Sequence, residues 1–224
     1  MEYTNSKLVS VTILSPNNSG TRTHSIDRIT PHCVVGQVTA TALGNMFKDA
    51  SRKVSSNYGI GKDGKIGLYV SESKRSWCSS SSENDQRAVT IECASDTKDP
   101  YKMNDAVYAS LVKLCVDICQ RNGKTKLLWL GDRGETLAYK PAKDEMVLTV
   151  HRWFANKACP GEWLYSRLGN LATEVTKQLK PKKAEAESGK LYTVQVGAYS
   201  VKANAEAMQK KLKAAGFDAI INVK

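Results

Sequence analysis

The chain has 224 residues, 41% of them hydrophobic and 25% charged, a composition that excludes wholesale disorder and fibrous repeats. Lysine and arginine outnumber aspartate and glutamate by 33 to 22, and the net charge of +11 favours an anionic partner such as nucleic acid, anionic lipid or cell wall. No window has the roughly 18–20 apolar residues of a membrane span, and the first residues lack a signal-peptide pattern. We therefore expect a chain that is made in the cytoplasm and does not enter a membrane.

The first third of the chain alternates strand-like and loop-like segments. Residues 9–13 alternate apolar and polar side chains, which predicts a strand, and the polar run 15–20 predicts a loop. A short strand is expected around Ile29 and a helix over 38–47. Residues 55–70 predict a hairpin, because a Lys-Asp-Gly-Lys turn signal separates two apolar runs.

The middle of the chain predicts further strands and helices. The serine-rich run 75–86 predicts a loop, and a strand over 88–94 follows, with Glu92 on its less apolar face. The remaining predicted elements are a helix over 104–120, strands over 127–130 and 146–150, and a helix over 164–179. This order predicts an α/β domain over residues 1–179.

A second, smaller unit is predicted after this domain. Residues 180–189 have almost no apolar content and predict a linker. Residues 190–224 carry six lysines against two acidic residues. Their pattern predicts a small β-α-β unit, with a strand over 191–199, a helix over 203–215 and a strand over 217–223.

Two of the three histidines and one cysteine form a candidate metal site. His32 follows a predicted strand, and His151 ends another strand eight residues before Cys159. Two imidazoles and one thiolate leave the fourth tetrahedral position of zinc open for water, the layout of a catalytic site. On spacing alone, two incidental histidines and a core cysteine are the favoured explanation, since buried reduced thiols are expected for most of the six cysteines.

Several segments resemble zinc-dependent N-acetylmuramoyl-L-alanine amidases of type 2. These enzymes share a fold with peptidoglycan recognition proteins and are frequent among phage endolysins. The segments stand in the order of that family and are 28–36 around His32, 55–70, 88–94 around Glu92, 117–123, 151–154 and 159–161. The resemblance spans about residues 29–168 and implies a mixed central β-sheet flanked by helices.

The resemblance also implies roles for individual residues. It implies that His32, His151 and Cys159 bind Zn²⁺, that Glu92 is the acidic catalytic residue, and that Lys157 is a further catalytic group. Zinc would activate water and polarise the scissile carbonyl, Glu92 would move a proton, and Lys157 would stabilise the oxyanion.

The sequence departs from the family at two places. Some relatives have a catalytic tyrosine where this chain has Ser56, so we expect no catalytic part for the nearby Tyr58. Close relatives often have a second histidine after the first ligand, where this chain has Cys33. Cys33 points away from His32 on an extended segment, so we assign it to packing.

Two tryptophans are candidate substrate-binding residues. Trp77 lies in the serine-rich run, and Trp153 follows His151. Exposed aromatic rings stack on sugars or peptides, although a tryptophan more often fills a core.

The C-terminal unit resembles half of a sporulation-related repeat, the SPOR domain, which binds glycan strands of peptidoglycan. The resemblance rests on residues 191–200, 204–206 and 212–217. Because a lone half exposes sheet edge and core surface, we expect two chains to pair their halves in a homodimer.

These features predict a peptidoglycan hydrolase that cuts the amide between N-acetylmuramic acid and the L-alanine of the stem peptide. We expect a cell-wall lytic endolysin or autolysin that acts on the Gram-positive wall after release.

One alternative is a non-hydrolytic peptidoglycan recognition protein. Another is a thiol peptidase that uses Cys159 with His151. Nucleic-acid binding is not expected, because the basic residues are scattered and do not accompany an aromatic platform.

Overall fold

The computed structural model describes residues 3–179 and 195–223. The chain divides into two compact units, residues 1–182 and 183–224. The predicted linker over 180–189 and the first four residues of the predicted strand over 191–199 lie outside the described residues. Within the described ranges, no helix combines the length and apolar composition that crossing a bilayer requires.

The larger unit is built on a seven-stranded sheet. Nine strands are assigned in the described residues: β1 (Val9–Thr12), β2 (Asn18–Thr21), β3 (Arg28–Cys33), β4 (Tyr58–Ile60), β5 (Ile66–Leu68), β6 (Lys74–Ser76), β7 (Ala88–Cys93), β8 (Lys126–Leu128) and β9 (Glu145–Leu148). The sheet has the order β1-β5-β4-β7-β3-β9-β8, and its neighbours are parallel apart from the β4–β5 hairpin. Strands β2 and β6 form a separate antiparallel pair.

The described residues also contain seven α-helices. They are α1 (Ala40–Lys48), α2 (Ser82–Arg87), α3 (Asp105–Arg121), α4 (Arg133–Ala138), α5 (Glu162–Tyr165), α6 (Leu168–Leu179) and α7 (Lys202–Ala214). Helix α3 begins where the Asn104 side chain accepts a hydrogen bond from the Val107 N–H group, and it ends at Asn122 and the left-handed Gly123. The mixed sheet flanked by helices confirms the predicted α/β fold.

The two faces of the sheet differ in chemistry. One face packs against apolar side chains of α3 and α6, such as Leu111 and Leu171, in the main hydrophobic core. The other face carries a polar network, in which Thr30 and Thr149 hydroxyl oxygens lie 2.7 Å apart. The buried Asn84 side chain of α2 donates to Thr30 and accepts from Thr149. This network packs α2 against the strands that lead to His32 and His151.

Three predictions for the larger unit are wrong, and one helix was missed. The runs 15–20 and 75–86, expected to be loops, contain β2, β6 and α2. These elements are polar, and β2 and β6 form by pairing with each other, so apolar periodicity does not reveal them. The helix expected over 164–179 is divided into α5 and α6, and α4 was not predicted at all.

The smaller unit contains one element of the predicted β-α-β order. Helix α7 confirms the helix expected over 203–215. The strands expected over 191–199 and 217–223 are not assigned in the described part of this unit, residues 195–223. Strands require a hydrogen-bonded neighbour. The apolar residues of this segment instead face solvent, with Phe217 64%, Ile220 75% and Val223 94% exposed.

Candidate functional site

The site lies where three parallel strands, β3, β7 and β9, have their carboxyl ends. His32 in β3 is in register with Glu92 in β7. Strand β9 runs parallel to β3 on its other side, and His151 follows β9 by three residues. Because parallel strands end at the same edge, these side chains converge there.

Cys159 reaches the same place from the segment before α5. Its carbonyl oxygen accepts a hydrogen bond from the Arg152 N–H group at 3.1 Å. Its Sγ atom accepts one from the Cys33 N–H group at 3.4 Å. Cys159 is therefore tied both to the segment after β9 and to the last residue of β3.

The structure brings the three predicted metal ligands together. The ligand atoms of His32, His151 and Cys159 all lie within 4.8 Å of one another. His32 Nδ1 lies 3.3 Å from Cys159 Sγ, and the two imidazole centroids are 5.0 Å apart. Two nitrogens and one sulfur in this arrangement fit the donor set of a tetrahedral zinc site with one open position.

Burial shifts the pKa of two of the candidate donors. Burial lowers the pKa of His32 well below its usual range, so this imidazole is neutral, the form that binds a cation. The neighbouring Cys33 thiol and burial raise the pKa of Cys159. This shift disfavours the thiolate, the form that a thiol peptidase needs as its nucleophile.

Glu92 lies beside the candidate ligands. Its Oε1 atom is 3.9 Å from His32 Nδ1, and its side chain is 18% exposed. Its Oε2 atom is buried and has no hydrogen-bond partner among the described residues. Burial raises the pKa of Glu92 to about 7, which suits a group that exchanges protons near neutral pH.

Lys157 lies in the exposed segment before Cys159. Burial lowers the pKa of His151, and the positive charge of Lys157 lowers it further. No contact of the Lys157 side chain is assigned in the described residues.

The two predicted substrate-binding tryptophans differ in their surroundings. Trp77 is half-buried, and its indole N–H group donates to Ser19 Oγ at 2.6 Å. Trp153 is only 8% exposed and stacks on Trp129, with ring centroids 5.1 Å apart and planes 3° from parallel. The prediction that Trp153 contacts substrate is therefore corrected: this ring is part of the core.

Cys33 and Tyr58, the residues at or near the two departures from the family, have structural roles. Cys33 is buried in the hydrophobic core. The Tyr58 hydroxyl group donates to Glu72 Oε1 at 2.6 Å and accepts from the Ser6 N–H group at 2.8 Å. Tyr58 thus contributes to a buried hydrogen-bond network and not to the site.

Sequence reasoning missed two residues that line the site. Cys78 Sγ lies 3.8 Å from Glu92 Oε1, and Ser80 Oγ lies 3.0 Å from His151 Nε2. Their segment is mostly polar, so no apolar periodicity marks it. A usable signal was the helix start just after them, where Ser81 precedes the acidic residues Glu83 and Asp85.

Comparison with known structures places the fold. The chain resembles a selenomethionine derivative of AmpD (19% identity, TM-score 0.54, 77% of this chain and 99% of that chain covered). It also resembles the catalytic domain of XlyA (13%, 0.53, 75% and 99%) and PlyL (15%, 0.50, 75% and 96%). At these identities the likeness concerns the fold. The chain matches none of the curated proteins with which it was compared.

Comparison with protein families gives two matches. Residues 188–224 match the SPOR domain. Residues 22–162, which are more than half of the chain and contain all the candidate ligands, match N-acetylmuramoyl-L-alanine amidase. The chain therefore belongs to the N-acetylmuramoyl-L-alanine amidase family and carries a SPOR domain after its amidase domain.

Proposed function

We propose that this chain is a zinc-dependent, cell-wall lytic amidase that cleaves the bond between N-acetylmuramic acid and the L-alanine of the stem peptide in peptidoglycan. The observation that carries the proposal is the grouping of His32, His151 and Cys159 beside Glu92 at one sheet edge. The amidase and SPOR domains both indicate peptidoglycan as the partner.

In this proposal His32, His151 and Cys159 hold the zinc ion. Bound zinc would polarise the scissile carbonyl and lower the pKa of a water molecule. A bound cation would also favour the thiolate of Cys159 and the carboxylate of Glu92, because an opposite charge nearby stabilises the ionised form.

Glu92 is the proposed proton carrier. It takes a proton from the attacking water and passes it to the alanine nitrogen as the carbon–nitrogen bond breaks, leaving a carboxyl group and a free amine. The unpartnered Oε2 atom is available for this proton. Lys157 is proposed to stabilise the negative charge on the carbonyl oxygen, and half-buried Trp77 to contact the substrate.

The bond that is cut can be identified by digesting purified Gram-positive cell wall. We expect new L-alanine amino termini to appear at a rate that rises with the amount of enzyme. We expect no increase in reducing sugars. Reducing sugars without new amino termini would contradict the proposal. Wall binding with neither product would favour the non-hydrolytic recognition alternative.

We also propose that the chain forms a homodimer through its C-terminal unit. Phe217, Ile220 and Val223 are exposed next to α7, and a second copy of the same segment would cover them. Sedimentation at micromolar concentration is expected to give the mass of a dimer, and Ile220→Glu is expected to give a monomer. A monomeric wild-type chain with α7 still helical would contradict this expectation.

A further inference from the structure

The turn Cys78–Ser80 contacts two members of the candidate site at once. At one end, Cys78 Sγ lies 3.8 Å from Glu92 Oε1. At the other end, Ser80 Oγ lies 3.0 Å from His151 Nε2. This turn therefore connects the proposed proton carrier with one of the proposed zinc ligands.

Asp85 in α2 holds the turn in place through hydrogen bonds to its backbone. Asp85 is buried, and its carboxylate accepts hydrogen bonds from the Cys78 N–H group at 3.0 Å and the Ser79 N–H group at 3.2 Å. The helix that carries Asp85 is capped at its N-terminus by Ser81, whose hydroxyl group accepts a hydrogen bond from the Asn84 N–H group. The turn is thus anchored to a helix that is itself packed on the sheet.

The backbone of the turn is strained at Ser80, the residue that contacts His151. Ser80 has a φ angle of +62°, in the left-handed region that residues other than glycine rarely adopt. Such a conformation persists only where the surrounding contacts over-determine it, and these positions cluster at functional sites. The anchoring by Asp85 supplies that constraint next to the proposed zinc site.

The Ser80 contact has a consequence for the His151 ring. An imidazole has two nitrogens, and the partner of one nitrogen fixes which nitrogen is available to a metal. Since Ser80 lies against Nε2, the nitrogen left for a cation is Nδ1. In His32 too, it is Nδ1 that lies near Cys159 and Glu92.

We propose that the turn Cys78–Ser80 is a positioning element, in which Ser80 orients His151 toward the cation and Cys78 holds the Glu92 carboxylate. The inference rests on the proposed zinc amidase function and assigns to it two positioning residues. Both side chains act through a neighbour and not on the substrate.

The role of Ser80 can be tested through zinc affinity. Ser80→Ala and Ser80→Gly are both expected to weaken zinc binding about tenfold, measured by competition with a chromophoric chelator. Glycine accepts a positive φ, so Ser80→Gly removes the hydroxyl group while relieving the backbone strain. The exposed Ser82, two residues along, provides the control Ser82→Ala, which should bind zinc as the wild type does.

The role of Cys78 can be tested through steady-state kinetics. Cys78→Ala is expected to lower kcat about five- to tenfold with little change in KM or zinc affinity, because one hydrogen bond to Glu92 is lost. Cys78→Ser keeps a donor and is expected to recover most of the kcat. A loss that serine does not restore would indicate packing and would overturn the role of Cys78.

The failure of this inference is distinguishable from the failure of the proposed function. If the wild-type chain binds no zinc, the proposed function fails. If the wild type binds zinc and cleaves the wall while Ser80→Gly binds zinc equally well, only the positioning role of Ser80 is overturned.

Discussion

Removal of zinc is expected to abolish amide cleavage, and added Zn²⁺ is expected to restore it. The ligand atoms of the three proposed ligands lie within 4.8 Å of one another, and a cation that they hold would polarise the carbonyl and activate water. Stabilisation of about 4 kcal/mol from such a cation corresponds to a rate difference of roughly a thousandfold. The measurement is wall digestion before dialysis against a strong chelator, after it, and after zinc is returned.

The chain offers a matched control for this experiment in its third histidine. His151→Ala is expected to lose zinc and activity together, because it removes one of three ligands. His24 is exposed, and its Nδ1 atom lies 2.7 Å from the Ser25 carbonyl oxygen, so His24→Ala is expected to change neither. Full activity of the metal-free chain would contradict the zinc assignment and revive the thiol-peptidase alternative.

Glu92→Gln is expected to lower kcat by about 10²–10⁴-fold while KM stays within a small factor of the wild-type value. Glutamine has nearly the same shape as glutamate and cannot carry a proton between water and the leaving nitrogen. Because Glu92 is not one of the three proposed ligands, the variant is expected to keep its zinc. Steady-state rates on a soluble muropeptide and a zinc titration of the same preparation measure both quantities.

Glu83 provides the control for charge removal. It is an exposed glutamate in α2, and Glu83→Gln is expected to retain the wild-type kcat. An unchanged kcat in Glu92→Gln would contradict the proposed role of Glu92. A fall in kcat accompanied by loss of zinc would assign Glu92 to the metal site instead.

The parts of the fold that follow apolar periodicity could be predicted from the sequence. Helix α3 was expected because Val107, Leu111, Leu114 and Ile118 recur at helical spacing, and all four are buried. Strand β7 was expected from its alternation, and the same alternation placed Glu92 on the opposite face to Ile91. Burial of one face determines these elements, so the local sequence is sufficient.

Contacts that follow neither helical nor strand spacing determine the features that were not predicted. The turn before α2 takes its shape from the buried carboxylate of Asp85, which no spacing rule connects to Cys78 or Ser79. Trp153 was misplaced because its partner, Trp129, is far away in sequence. The strand expected over 217–223 has suitable residues, but a strand also requires a neighbouring backbone, which the local pattern does not specify.

The proposed ligands join parts of the chain that lie far apart in sequence. His32 and Cys159 are 127 residues apart, yet their side chains approach to 3.3 Å. An ion held by both residues would act as a removable cross-link across most of the amidase domain. Because the ion would bind only the folded chain, it would raise the free energy of unfolding. Chains without zinc would then unfold more readily and be degraded sooner by proteases. The zinc supply would therefore affect both the lifetime of the folded enzyme and its rate of catalysis.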